Sequence, residues 1–221
     1  MFRDRTEAGE RLADALDTLA PAAPVVLALP RGGVPVALPV ARRLGAPLDL
    51  LLVRKIGMPG NPELAAGAIV DDGEPVFNLG LIAAYGLTPQ DFAAQIADKR
   101  AEIAARRAAW LTGRAPIDLA GKTAIVVDDG IATGATVKAA LAGLATRHPA
   151  HTILAVPVAP ADSLAELAPL CDRVLCLETP ATFRAVGAHY RSFDQVPDAA
   201  VTQMLKAATL LPKGSQSDEF P

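Results

Sequence analysis

The sequence predicts an α/β fold: a doubly wound, mostly parallel sheet with helices packed on its faces. Three observations carry that prediction. Short apolar runs recur along the chain and alternate with segments whose apolar residues return at helical spacing. The order strand, helix, strand needs a parallel crossover connection. Two of the apolar runs end abruptly in small or turn-forming residues, at 30–33 and 128–136, and in doubly wound sheets ligands bind beyond the carboxyl ends of the strands.

Taken in order, Thr6 to Leu19 reads as an amphipathic helix with Ala8, Leu12, Leu16 and Leu19 on one face. Val25 to Leu29 reads as a buried strand, broken by Pro30-Arg31-Gly32-Gly33. Val34 to Leu44 reads as an apolar helix, and Leu48 to Val53 as a second strand. "KIGMPGNP" (Lys55 to Pro62) reads as a Gly/Pro-rich loop. Leu64 to Val70 and Pro75 to Asn78 flank Asp71-Asp72-Gly73 as a β-hairpin with an Asp-Gly turn. Thr88-Pro89-Gln90-Asp91 has the composition of a helix start, and a long helix follows to about Trp110. Lys99, Arg100, Arg106, Arg107 and Arg114 interleave there with Asp98 and Glu102, which reads as a solvated face. Lys122 to Asp128 is the next strand, Gly134 to Thr146 a helix, and Thr152 to Val158 a strand. "SLAE" (Ser163 to Glu166) reads as a capping box, Arg173 to Leu177 as the last core strand, and Asp198 to Leu210 as a terminal helix.

Composition narrows the function. Half of the 221 residues are apolar but only 4% are aromatic, so the core must be built from Ala, Val and Leu. A net charge of −3 argues against a nucleic-acid partner. Cys171 and Cys176 are too few for a disulfide framework, and His148, His151 and His189 show no ligand spacing to them. The charged N-terminus has no secretory core, and no apolar run approaches the roughly 20 residues of a membrane span, so a cytoplasmic location without a membrane partner is expected. One domain over 1–212 and a polar tail over 213–221 are expected.

"VDDG" occurs twice, at Val70 to Gly73 and Val127 to Gly130. The first copy lies between two extended segments and reads as a tight turn. The second, in "VVDDGIATGAT" (Val126 to Thr136), lies between a strand and a helix. Gly130, Ala132, Gly134 and Ala135 let backbone N–H groups approach a ligand closely, Thr133 and Thr136 add hydroxyls, and a helix N-terminus follows. That is a phosphate cradle, and it is neither a Walker loop nor a dinucleotide fingerprint. Asp128 and Asp129, just ahead of it, would repel a phosphate but suit two hydroxyls or a cation. A ribose 5-phosphate group satisfies both halves.

"AIVVDDGIATGAT" (Ala124 to Thr136) resembles the phosphoribosyl-pyrophosphate motif of the type I phosphoribosyltransferases. "ALPRGGVPVA" and "VRKIGMPGNPELAAGAI" extend the resemblance over about residues 1–210, to a bacterial group with no assigned acceptor. Gly130 departs from the family pattern, where an aliphatic residue is common, and reads as added flexibility. The resemblance implies a core over about 20–180, and a hood over about 178–197 with the N- and C-terminal helices. It implies that Asp128 and Asp129 hold the ribose hydroxyls while Gly130, Ile131, Ala132, Thr133, Gly134, Ala135 and Thr136 hold the 5-phosphate. Arg31, Gly32 and Gly33 would form the pyrophosphate loop, with Arg31-Gly32 as the candidate cis bond, and Lys55 would reach the pyrophosphate. Magnesium is implied as cofactor, held by ligand and water near Asp128 and Asp129 with no direct protein ligand, and a homodimer as the assembly. Phe183, Tyr190 and Phe193 offer either a ring to stack on a base or the packing of a flap. The implied reaction transfers ribose 5-phosphate to a nitrogen nucleophile such as a nucleobase, releasing pyrophosphate. Ala132 stands where 6-oxopurine enzymes carry an aspartate, which argues against hypoxanthine or guanine. The alternative is a regulator that binds phosphoribosyl pyrophosphate or a nucleotide without turnover.

Overall fold

The computed structural model describes residues 1–111 and 113–209; the polar tail expected at 213–221 lies outside them, as does Leu210. The chain runs through α1 (Arg5–Asp17), β1 (Pro24–Ala28), α2 (Gly33–Arg43), β2 (Leu48–Leu50), β3 (Val53–Met58), β4 (Asn61–Val70) and β5 (Val76–Phe77). It continues through α3 (Leu79–Ala84), α4 (Ala93–Leu111), β6 (Thr123–Val127), α5 (Ala135–Ala145), β7 (His151–Val158), α6 (Ala161–Leu167), β8 (Arg173–Glu178) and α7 (Asp198–Thr209).

Five strands form a wholly parallel sheet in the order β2-β1-β6-β7-β8. Side chains alternate across it. Val26, Ala28, Ile125, Val127, Ile153 and Ala155 face one layer with residues of α1, α2, α4 and α7. Val25, Leu27, Ala124, Val126, Leu154 and Val156 face the other with α5 and Leu167 of α6. These strands read as continuous apolar runs because both faces are covered. Since α2 and α5 follow neighbouring strands yet pack on opposite faces, the connection direction reverses between β1 and β6. In doubly wound sheets a crevice for ligands forms at such a switch point, and the 30–33 and 128–134 segments follow the two strands that meet there.

Two sequence expectations are corrected by a second, antiparallel sheet, β3-β4-β5. Val53 opens β3 instead of closing the second strand, and the Lys55 to Pro62 segment is mainly hairpin, with Met58 paired to Asn61 across Pro59-Gly60. Gly57 fits because its partner backbone is close: a Cβ there would stand 2.7 Å from the Pro62 carbonyl oxygen. Glycine and proline, which read as loop, here mark a register shift and a turn. The expected antiparallel pairing of 64–70 with 75–78 is present through Gly67 with Phe77 and Ala68 with Val76.

The solvated face expected for the basic helix is present at Arg106 but is corrected at Arg107 and Arg114. Arg107 on α4 donates to both carboxylate oxygens of Asp49, at 3.0 and 2.8 Å. Asp71, 1% exposed, accepts from Arg147 at 3.0 Å and from the Leu52 N–H at 3.1 Å. Arg114 donates to the Leu48 carbonyl. Asp71 is therefore more than a turn residue: with Asp49 and the two arginines it ties β2, α4 and the end of α5 into one buried knot. Burial, its largest influence, pushes the Asp71 carboxyl up to about 6 against the pull of both arginines. Ser163 caps no helix; α6 starts earlier, at Ala161, and the Ser163 hydroxyl donates to the Ala132 carbonyl at 2.8 Å.

Candidate active site

β1 and β6 lie side by side with Ala28 opposite Val127, and the Leu29 N–H continues the ladder to the Val127 carbonyl at 2.9 Å. Their two loops therefore leave the sheet together. A Cβ on Gly32 would fall 2.0 Å from Oδ2 of Asp129, and one on Gly33 would fall 2.6 Å from the Val127 carbonyl. Only glycine permits this approach, so the 30–33 turn and the acid pair form one structure. The cis peptide bond lies at Pro30-Arg31, one bond before the Arg31-Gly32 expected from sequence.

The second loop is open where an anion would enter. Ala132, Thr133, Ala135 and Thr136 are exposed. Gly134 caps α5 in the left-handed conformation at φ 69°, which favours glycine, and supplies no side-chain cap. The first-turn amides of α5 thus face the crevice without an internal competitor. The hydroxyls of Thr133 and Thr136 make no hydrogen bond among the described residues. Ile131 plays a different part: it is 2% exposed and its N–H donates to the Val158 carbonyl at 2.9 Å, so it anchors the loop to β7. Gly130 is also corrected, from flexible to packed, because a Cβ there would meet Val186 at 2.6 Å and Val158 at 2.9 Å.

The two acids differ in their surroundings. Asp128 accepts the Asp129 N–H at 2.9 Å. Asp129 accepts Nε of Arg5 at 2.8 Å, and its carbonyl accepts the Tyr190 hydroxyl at 2.5 Å. Burial, and after it the Asp129 charge, raise Asp128 well above the ordinary carboxylate range. Burial raises Asp129 as well, opposed by Arg5. Tyr190 is pushed up by burial and by Asp129, so it stays a protonated donor.

Arg5 was invisible in the sequence: nothing local marks it, and its partner lies 124 positions away. Tyr190 and Phe193 belong to this support. Tyr190 is 6% exposed and packs with Phe2, Val158 and Phe193, and the Arg5 guanidinium lies 3.7 Å from the centre of the Phe193 ring. Tyr190 is thereby committed to packing, and one face of the Phe193 ring is covered by Arg5. Phe183 stacks on His189.

Arg31 and Lys55 are not drawn to the acids. Arg31 Nη1 stands 3.4 Å from Asp198 of α7, an exposed contact. Lys55 is exposed on β3, and lines a cavity of about 340 Å³ with Lys138 and Ala135 of α5. It stands on the hairpin and shares that cavity with the first turns of the cradle helix.

With small residues, hydroxyls and two carboxylates gathered at the switch point, the comparison with known domains is direct: the Phosphoribosyl transferase domain family matches residues 7–192. The chain belongs to that family. Two curated Mycobacterium tuberculosis proteins, from strains CDC 1551 and H37Rv and provisionally named phosphoribosyl transferases, are each 47% identical over 208 residues, 94% of this chain. The chain spans about half (47%) of the length of those relatives. TT1426 from Thermus thermophilus has the same fold, with 42% identity, a TM-score of 0.82 and coverage of 93% of this chain and 97% of that one. A Neisseria gonorrhoeae protein solved with bound ppGpp shares the fold alone, at 14% identity and TM-score 0.50, over 94% of this chain and 98% of that one.

Proposed function

We propose that the chain is a phosphoribosyltransferase that takes phosphoribosyl pyrophosphate and transfers its ribose 5-phosphate group to a nitrogen nucleophile, releasing pyrophosphate. The observation that carries this reading is the open cradle at the start of α5, set beside two largely buried carboxylates and against the Gly32-Gly33 turn. The 5-phosphate would rest on the amides and hydroxyls of 132–136, with its charge favoured by the helix end. Carboxylate oxygens would accept the ribose hydroxyls and favour the positive charge that develops on the ring. Arg31 and Lys55 would serve as movable cations for the departing pyrophosphate, since Arg31 has only an exposed partner and Lys55 has no ion pair among the described residues.

No group of three or more His, Cys, Asp or Glu gathers among the described residues as a metal cage. The acids present fit magnesium held by ligand oxygens and water, with Asp128 and Asp129 balancing its charge. Bound there, it would neutralise charge on the pyrophosphate. Ala132 carries no group to handle a purine proton, so an acceptor that needs no base at that position is favoured.

The test is a panel of nucleobases and small amines with phosphoribosyl pyrophosphate and magnesium, following pyrophosphate release. Turnover with one acceptor is expected, and the Asp128→Asn/Asp129→Asn double variant should abolish it while keeping its circular dichroism spectrum. Tight binding with no release for any acceptor would favour the regulator instead.

A further inference from the structure

Sequence motifs assign the two acids the same task, but the structure separates them. Asp129 is wedged. On one side the Gly32 turn stands so close that a Cβ would fall 2.0 Å from its Oδ2. On the other, Nε of Arg5 donates to that same oxygen at 2.8 Å. Both side chains are mostly buried, 12% and 15% exposed, so the pair is not a solvated surface contact of little effect. The guanidinium is itself held on three sides: by Asp129, by the Asp194 carbonyl at 2.8 Å, and by the face of Phe193. Asp128, by contrast, accepts one hydrogen bond, from the Asp129 N–H, and makes no ion pair among the described residues.

We propose that Arg5 is a positioning residue of this site: it locks the Asp129 carboxylate against the Gly32 turn and so leaves Asp128 as the acid that meets the sugar hydroxyls. The inference rests on the reading of the site as one for a phosphoribosyl group. It divides the labour within the acid pair. Asp128 binds, while Asp129 sets the distance between the 30–33 turn and the 128–134 loop and is held there by a side chain from α1. The rings of Tyr190 and Phe193 serve the same end, one through the Asp129 carbonyl and the other beneath Arg5.

The experiment is titration calorimetry of the full chain with phosphoribosyl pyrophosphate and magnesium, on Arg5→Gln, Arg5→Lys, Asp128→Asn, Asp129→Asn and the two double variants that contain Arg5→Gln. Arg5→Gln is expected to weaken binding about tenfold or more, the scale of coupled neighbours. Combined with Asp129→Asn it should cost little beyond the worse single change; combined with Asp128→Asn the losses should multiply. Arg5→Lys should recover most of the affinity, and carries the test should Arg5→Gln fail to fold. Wild-type affinity in Arg5→Gln, losses that multiply with Asp129→Asn, or no recovery by lysine would overturn the assignment. Should the wild type itself not bind the probe, the phosphoribosyl reading fails. The hold on Asp129 is then decided by the same cycle in thermal unfolding of the ligand-free protein, where coupling supports it and additivity removes it.

Discussion

At the end of β6 two neighbouring carboxylates oppose folding at neutral pH: burial favours the protonated form of both, and the Asp129 charge adds to it at Asp128. A carboxyl whose folded pKa is raised adds stability below its unfolded pKa, and that stability is lost as pH rises through the folded value. Asp128→Asn removes the charge and keeps an acceptor for the Asp129 N–H. Its unfolding temperature is therefore expected above wild type at pH 7.5, with the gap closing as pH falls toward 4, while pyrophosphate release is lost. Thermal scans across pH check the first half, and a variant that is less stable at every pH would refute it. Gly32→Ala makes the complementary case. The added methyl must displace the Asp129 carboxylate or the turn, so ligand affinity should fall sharply while unfolding costs only about 1–3 kcal/mol, the usual range for overpacking.

Among the elements, β2 and α4 share the apolar core and are also joined through charge. Asp49 sits within "LDLLLV" and Asp71 within "VDDG", and neither context announces a buried acid. Their partners come from elsewhere in the chain, Arg107 from α4 and Arg147 from the turn after α5. Removing one partner of a buried ion pair leaves the other uncompensated, at a cost of about 3–5 kcal/mol. Arg147→Met should therefore destabilise strongly at pH 7.5. The deficit should shrink as pH falls through about 6, where Asp71 takes up a proton. Urea unfolding at pH 7.5 and pH 5 measures this; an equal loss at both would show that Asp71 is not what Arg147 compensates. The knot also shows why the basic helix misled. Period and charge alternation say which residues can reach water, but not which of them meet an acid brought in from an edge strand.

Over the whole molecule, what could be read in advance were the apolar runs of β1, β6 and β7, buried on both faces, and the loop after β6, whose small residues and hydroxyls are contiguous. The β3-β4 hairpin hid behind Gly57, Pro59 and Gly60, and the support of the acid pair hid in separation along the chain. Phe2 is fully buried against Tyr190, its N–H donates to the His189 carbonyl and its own carbonyl accepts the Arg191 N–H. Residues beside a chain end are usually dispensable, but Phe2→Ala is expected to cost about 3–5 kcal/mol, as for other buried phenylalanines. Calorimetric melting of that variant checks it, and a shift within error would show the seam between 2–3 and 189–192 to be loose.

That seam bears on how the protein matures at the ribosome. Residue 5 is translated long before residue 129, and the stretch around 190–194 that cradles its guanidinium comes later still. A nascent chain halted near residue 180 would already hold every strand of the parallel sheet and Asp129, yet it would lack the Asp194 carbonyl and the Phe193 ring that fix the arginine from the other sides.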